Sequence, residues 1–298
     1  MAKLVQCVPN YSEGRNLEII EAICAPFKNN SKIKFMGAEP DADYNRTVVT
    51  VIGDPEEVSK AVIESVGIAS KLIDLRNHKG EHFRMGATDV VPFIPIKDMT
   101  TNECVELSKI VAEEISKQFQ IPVFLYENSA SAPNRVALPD IRKGEFEGMT
   151  DKLKLEAWGP DFGDRAPHPS AGVTAVGARM PLVAFNINLD TNDMNVAKEI
   201  AKSIRFSSGG FRYIQAGPAE IKEKGFVQVT MNIKDYKKNP IYRVFETVKM
   251  EAKRYGVNVT GSEIIGAVPT EALAESLAYY LGLQGFNMDK IIETELLK

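Results

Sequence analysis

A chain of 298 residues with 44% hydrophobic and 26% charged side chains has an ordinary globular composition, enough for one large domain or two modest ones. Its net charge of −4, from 36 basic and 40 acidic side chains, lacks the clustered Lys/Arg surplus that holds phosphate, so no nucleic-acid partner is expected. Cys7, Cys24 and Cys104 are odd in number and lack C-x-x-C spacing, which disfavours a disulfide framework or a cysteine zinc site and fits a reducing compartment.

No stretch approaches the roughly 20 apolar residues of a membrane span, and the first apolar run is too short for a signal peptide. The expectation is a soluble cytoplasmic protein with no membrane partner.

The first half reads strand, helix, strand, strand, helix, strand. Leu4 to Val8 is a short β-prone run, and Asn16 to Phe27 carries helical spacing at Ile19, Ile20, Ile23 and Phe27. Lys32 to Met36 and Thr47 to Ile52 are the next strands, the second rich in β-branched residues. Asp54 is placed to cap a helix, with Pro55 at its first position and Glu56 and Glu57 at the positive dipole end. Val58, Val62, Val66, Ala69 and Ile73 then form one apolar stripe. Val90 to Ile96 closes the unit, its Pro92 and Pro95 arguing for an edge strand or a bulge.

A helix over Thr100 to Gln118, opened by a Thr100/Glu103 capping box, and a strand over Ile121 to Tyr126 follow. An irregular stretch then runs to Gly177. The element order repeats beyond it. Leu182 to Leu189 reads as a strand, and Val196, Ala197, Ile200, Ala201 and Ile204 as a helical stripe. Phe211 to Ala216 and Phe226 to Ile233 are strands. A helix capped by Asn239, with Pro240 in its first turn and Gly256 as its stop, precedes a strand at Val257 to Thr260 and two short helices.

The fold class is therefore α/β (α+β): two ferredoxin-like βαββαβ lobes, each a sheet with helices on one face, divided as 1–178 and 179–298. A ligand cleft is expected between them.

Two segments exceed the usual connection length. Residues 74–89, DLRNHKGEHFRMGATD, hold two of the three histidines with two arginines and two glycines. That composition suits a functional loop. Trp158 to Gly172, WGPDFGDRAPHPSAG, holds the only tryptophan and the third histidine. Glycine backbone beside aromatic faces would suit a flat heterocycle, and a linker between lobes is the plainer alternative.

Within the first segment His78, Glu81 and His82 spell H-x-x-E-H, an inverted zinc-peptidase pattern. That chemistry needs both histidines on one helix face. Gly80 in the middle and Gly86 after it argue against a helix, so no metal is expected. Cys7 reads as core, Ser12 as a turn residue, and Arg46 could pair with Asp41 or Asp43. No phosphate-binding glycine motif occurs.

CVPNYSEGRN, NRTVVT, GEHFRMGATDV followed by PFIP, WGPDFG, GAR and AFNINL together resemble the glutamate formimidoyltransferase family, in the same order and at similar spacing. The resemblance thins after Asn188 but returns at GSEIIGAVP. It implies transfer of the formimidoyl group of N-formimidoyl-L-glutamate to tetrahydrofolate, a co-substrate, in histidine degradation. His82, in the GEH string, falls on the family's acid–base histidine.

By position, the family's folate-contacting stretch falls on Gly163, Asp164, Arg165, Ala166, Pro167, His168, Pro169, Ser170, Ala171 and Gly172. This DRAPHPSA segment departs from the vertebrate pattern, and Phe83 stands where those relatives carry proline. Arg46, Arg84 and Arg179, with Arg165, are candidates for the substrate carboxylates. The resemblance also implies a homodimer. The animal enzymes carry a fused cyclodeaminase, which this chain is not expected to supply. Formyl transfer between 5-formyltetrahydrofolate and glutamate, or a non-catalytic small-molecule binder, are the alternative readings.

Overall fold

The computed structural model describes residues 3–221 and 224–296. The chain divides into two compact units, Met1–Arg179 and Met180–Lys298.

In the first unit, β1 (Leu4–Cys7), α1 (Leu17–Lys28), β3 (Ile33–Asp41), β4 (Arg46–Gly53), α2 (Pro55–Leu72) and β5 (Thr88–Lys97) form the ferredoxin-like core. The two-residue β2 (Asn10–Tyr11) lies in line with β1, and both pair with β4 and β5. The sheet continues through β7 (Thr174–Ala178), parallel to β5, to β6 (Val123–Glu127), with α3 (Thr101–Phe119) as the connection after β5. Local chemistry sets the helix starts as read from sequence. Asp54 accepts from the Glu56 and Glu57 amides, and the Thr100/Glu103 capping box is complete.

Alternation along β4 sends Val49 and Val51 into one core with Ile23, Phe27, Val62, Val66 and Ile115 of α1–α3. The opposite sheet face carries a second cluster, in which Val90, Phe124, Tyr126 and Ala175 meet Ile141 and Met149. Those two come from α4 (Leu138–Arg142) and α5 (Glu145–Lys152), in the stretch expected to be irregular. β7 also lies there. It shows no polar alternation because all five of its residues are buried.

Of the two readings of the β5 prolines, the edge fails because the strand is interior, and the bulge holds at Pro95, where the register with β1 shifts between Leu4–Lys97 and Val5–Pro95. The Pro92 carbonyl accepts from Val8 at the break between β1 and β2, and Pro95 lies beyond the last residue paired with β7. A proline is tolerated where no ladder partner is waiting.

The second unit contains β8 (Val183–Leu189), α6 (Met194–Ile204), β9 (Ile214–Ile221), β10 (Phe226–Ile233), α7 (Ile241–Arg254), β11 (Val259–Ile265), α8 (Thr270–Leu281) and α9 (Ile292–Leu296). Its antiparallel order β11-β8-β10-β9 is the ferredoxin-like pattern, cored by Ile187, Leu189, Ile200, Ile204, Val229, Val244 and Val248. β9 begins three residues later than expected. Asn239 does not cap α7: its side chain accepts from the Tyr213 amide, leaving Pro240 at the cap position.

Candidate active site

Residues 73–87 connect α2 to β5 without a helix or strand. They are nevertheless held on both sides. On one side stands the β3–β4 turn. Asn45, at a left-handed φ of +49°, accepts the Gly14 amide on its side-chain oxygen and donates its amide to the Lys79 carbonyl. Its own carbonyl accepts from His78 Nε2 at 2.9 Å, and the Glu81 amide donates to Asp43 O at 3.1 Å. Gly80 permits this approach, because a Cβ there would lie 2.3 Å from Tyr44 O.

The other side is a backbone seam. Leu75 N donates to Ser170 O, Ala87 N to Ala171 O, and Val173 N to Met85 O. Gly172, at φ +68°, sits so close that a Cβ would meet Met85 O at 2.2 Å. The two long segments singled out in the sequence are thus joined to each other.

His82 emerges between these anchors with 8% of its surface exposed, and no hydrogen bond to its ring occurs among the described residues. Burial, then the charges of Arg142, Arg46, His78 and Arg84, push its pKa down to about 3. A shift in this direction favours the neutral imidazole, with a ring lone pair available.

The arginines divide by partner. Arg84 grips Glu147 with both outer nitrogens, touches Glu145 at 3.1 Å, and donates its Nε to His78 Nδ1 at 3.3 Å. With Nδ1 accepting and Nε2 donating, His78 is a neutral tautomer held in place. Arg84 is therefore committed to structure. Arg46 pairs with neither Asp41 nor Asp43; Asp41 instead accepts from the amides of Asp43 and Tyr44. Arg46 lies 5.6 Å from the Tyr44 ring centre, and its Nε is buried without a hydrogen bond. Arg179, at the end of β7, exerts its charge on Cys7 and Tyr126.

Arg142 was not picked out by sequence reasoning. It donates Nε to Asp89 Oδ2 at 2.8 Å and closes a second bond from Nη2 to the same oxygen, while Asp89 Oδ1 accepts from Met85 N. Arg142 heads the charges acting on His82 and on Arg46. Its only sequence signal was a place in a long connection, and nothing in the chain order links it to position 82.

The second segment proves more structural than expected. Trp158 packs edge-on against Phe124 at 6.4 Å and lies 4.0 Å from Lys152 Nζ, so it is not an open stacking platform. Asp161 accepts from Leu125 N and from Ser131, and pairs with Arg135 at 2.9 Å. Beyond it, Gly163 to Ala166 are exposed, whereas Ala171 and Gly172 are buried in the seam. The His168 Nδ1 accepts from the Ser170 and Ala171 amides, which fixes the turn.

No helix carries the H-x-x-E-H string, and both ring nitrogens of His78 are engaged. No cluster of three metal-ligating side chains occurs among the described residues. Ser12 is buried and donates to Gly86 O at 2.7 Å, a bond to a distant loop rather than within its own turn, and the three cysteines are free and buried. Among the described residues, no helix is long and apolar enough to cross a membrane.

Two ferredoxin-like units, the first carrying a buried imidazole under the charge of several guanidinium groups, define the class of α/β protein. The chain matches the model of the formiminotransferase domain, N-terminal subdomain, over residues 4–179, and that of the formiminotransferase domain over residues 184–296. It is 51% identical over 298 residues to a glutamate formimidoyltransferase of Streptococcus pyogenes serotype M1, covering 100% of both chains. With a glutamate formimidoyltransferase of Thermoplasma acidophilum the identity is 39%, over 99% of this chain and 98% of the relative. A formimidoyltransferase-cyclodeaminase of Rattus norvegicus is 39% identical over 94% of this chain and 53% of its own length. The chain belongs to the formiminotransferase family, and it is a transferase.

Proposed function

We propose that the protein transfers the formimidoyl group of N-formimidoyl-L-glutamate to N5 of tetrahydrofolate, giving 5-formimidoyltetrahydrofolate and L-glutamate, a step of histidine degradation. The observation that carries the mechanism is His82: buried, neutral and without a hydrogen bond to its ring among the described residues.

In this reading N5 of tetrahydrofolate attacks the amidine carbon, and a new N5–C bond forms as the carbon becomes tetrahedral. His82 takes the proton that N5 loses. The bond from carbon to the glutamate nitrogen then breaks, and His82 returns the proton to the departing amine. The proton count closes without net change at the ring. The substrate's own protonated amidine supplies the electrophile.

Arg46 is assigned to a substrate carboxylate, since its Nε is buried without a partner. The folate lies along residues 163–172, where the exposed half from Gly163 offers the accessible surface. Three unpaired thiols fit a cytoplasmic setting, and a homodimer completes the proposal.

Mixing the protein with both substrates and measuring released L-glutamate tests the reaction directly. His82→Ala should retain the fold and lose ~10²–10⁴ in turnover. Unchanged turnover in that variant would overturn the assignment.

A further inference from the structure

We propose that Arg142 is a substrate-binding residue, forming with Arg46 a two-guanidinium seat beside His82 for one carboxylate of the formimidoyl donor. The inference deepens the reading above and rests on it.

The two arginines come from separate elements, β4 and α4, and the charges of both act on one imidazole. Asp89, 1% exposed, holds Arg142 through a single carboxylate oxygen, using Nε and Nη2. Its Nη1 has no partner among the described residues and remains to donate. Arg46 contributes a buried Nε that nothing among the described residues satisfies. A buried, unpaired donor costs stability unless a ligand completes it. Asp89 also fixes Met85 N, so Arg142 is anchored to the frame that carries His82.

Arg84 faces both Glu145 and Glu147, so its own cluster carries a net −1 and needs no further anion, and His78 is neutral. Asp89 balances one charge against Arg142. Arg46 has no carboxylate partner within ion-pair distance among the described residues. One bound carboxylate would give Arg46 the anionic partner that it lacks. It would also offset the two largest charges that depress the basicity of His82, so the donor itself would raise the ring's proton affinity.

Arg142→Lys keeps the charge that Asp89 needs but loses the fork. With it, KM for the formimidoyl donor should rise about 10–100-fold while KM for tetrahydrofolate holds within about twofold. A donor analogue lacking the seated carboxylate, tested as N-formimidoyl derivatives of 4-aminobutyrate and of 2-aminobutyrate, should be turned over equally by wild type and variant. As a readout that a structural role would not move, the His82 ring is titrated by NMR with and without L-glutamate. Its pKa should rise on adding L-glutamate to wild type and respond less in Arg142→Lys.

An unchanged donor KM in a folded Arg142→Lys, or a His82 titration indifferent to L-glutamate, overturns the seat while transfer by the wild type stands. Absence of transfer by the wild type, with L-glutamate still raising the His82 pKa, instead removes the proposed reaction and leaves the seat.

Discussion

Arg84 holds Glu147 at both ends, Nη1 to Oε2 at 2.8 Å and Nη2 to Oε1 at 2.6 Å, and thereby ties the loop of His82 to α5. The partners differ in exposure: the Arg84 side chain is 9% exposed and that of Glu147 65%. Removing the exposed partner should matter little, because Glu145 remains in reach. Glu147→Gln is expected to cost about 0.5–1 kcal/mol. Arg84→Met should cost more, about 2–3 kcal/mol, since it also withdraws the donor to His78 Nδ1. Urea denaturation of both variants checks the order.

Acid should destabilise the protein through His82. Its folded pKa of about 3 lies below the unfolded value of about 6.5, so at pH 5 the unfolded chain binds a proton that the folded chain does not. The contribution is complete above pH 6.5 and declines as pH falls towards 3. Burial lowers His78 and His168 as well, with the same sign. His82→Asn should therefore lose about 1–2 kcal/mol less than wild type between pH 7 and pH 5. Denaturation curves at the two pH values measure the difference.

At Gly80 a methyl group has no room against Tyr44 O. Gly80→Ala should push residues 78–82 away from the β3–β4 turn, costing about 1–3 kcal/mol. The expected signature is a fall in kcat greater than the rise in KM for either substrate. Steady-state kinetics on a variant of confirmed native circular dichroism decides it.

Asp161 and Trp158 sit in one string but should respond oppositely. Asp161→Ala strands Arg135, whose side chain is 10% exposed, and is expected to cost about 3–5 kcal/mol. Trp158→Phe keeps an aromatic ring against Phe124 and should leave KM for tetrahydrofolate within about twofold. A large rise in that KM would restore Trp158 as a stacking platform for the pterin.

The regular elements were legible because period and punctuation are local. The stripe Val58–Val62–Val66–Ala69 and the Asp54 and Thr100 caps are each written within a few residues, and each formed as read. β7 escaped notice because Thr174–Ala178 is buried on both faces, which erases alternation. Pro92 misled because its missing donor faces a gap between two short strands, a fact of pairing that no single strand reveals. His82 and its loop could be found from composition and resemblance. Arg142 could not, since its position 60 residues later becomes meaningful only once α4 is laid against the sheet.

The seam between residues 75–87 and 168–173 is made of amide-to-carbonyl bonds and two close glycine contacts, at Gly86 and Gly172. Its geometry therefore depends little on which side chains it carries. Within DRAPHPSA the exposed residues 164–166 can be rewritten while His168 and the buried seam keep the scaffold under His82 in shape. Partner preference could then drift along the rim of this pocket without disturbing the proton-handling centre beneath.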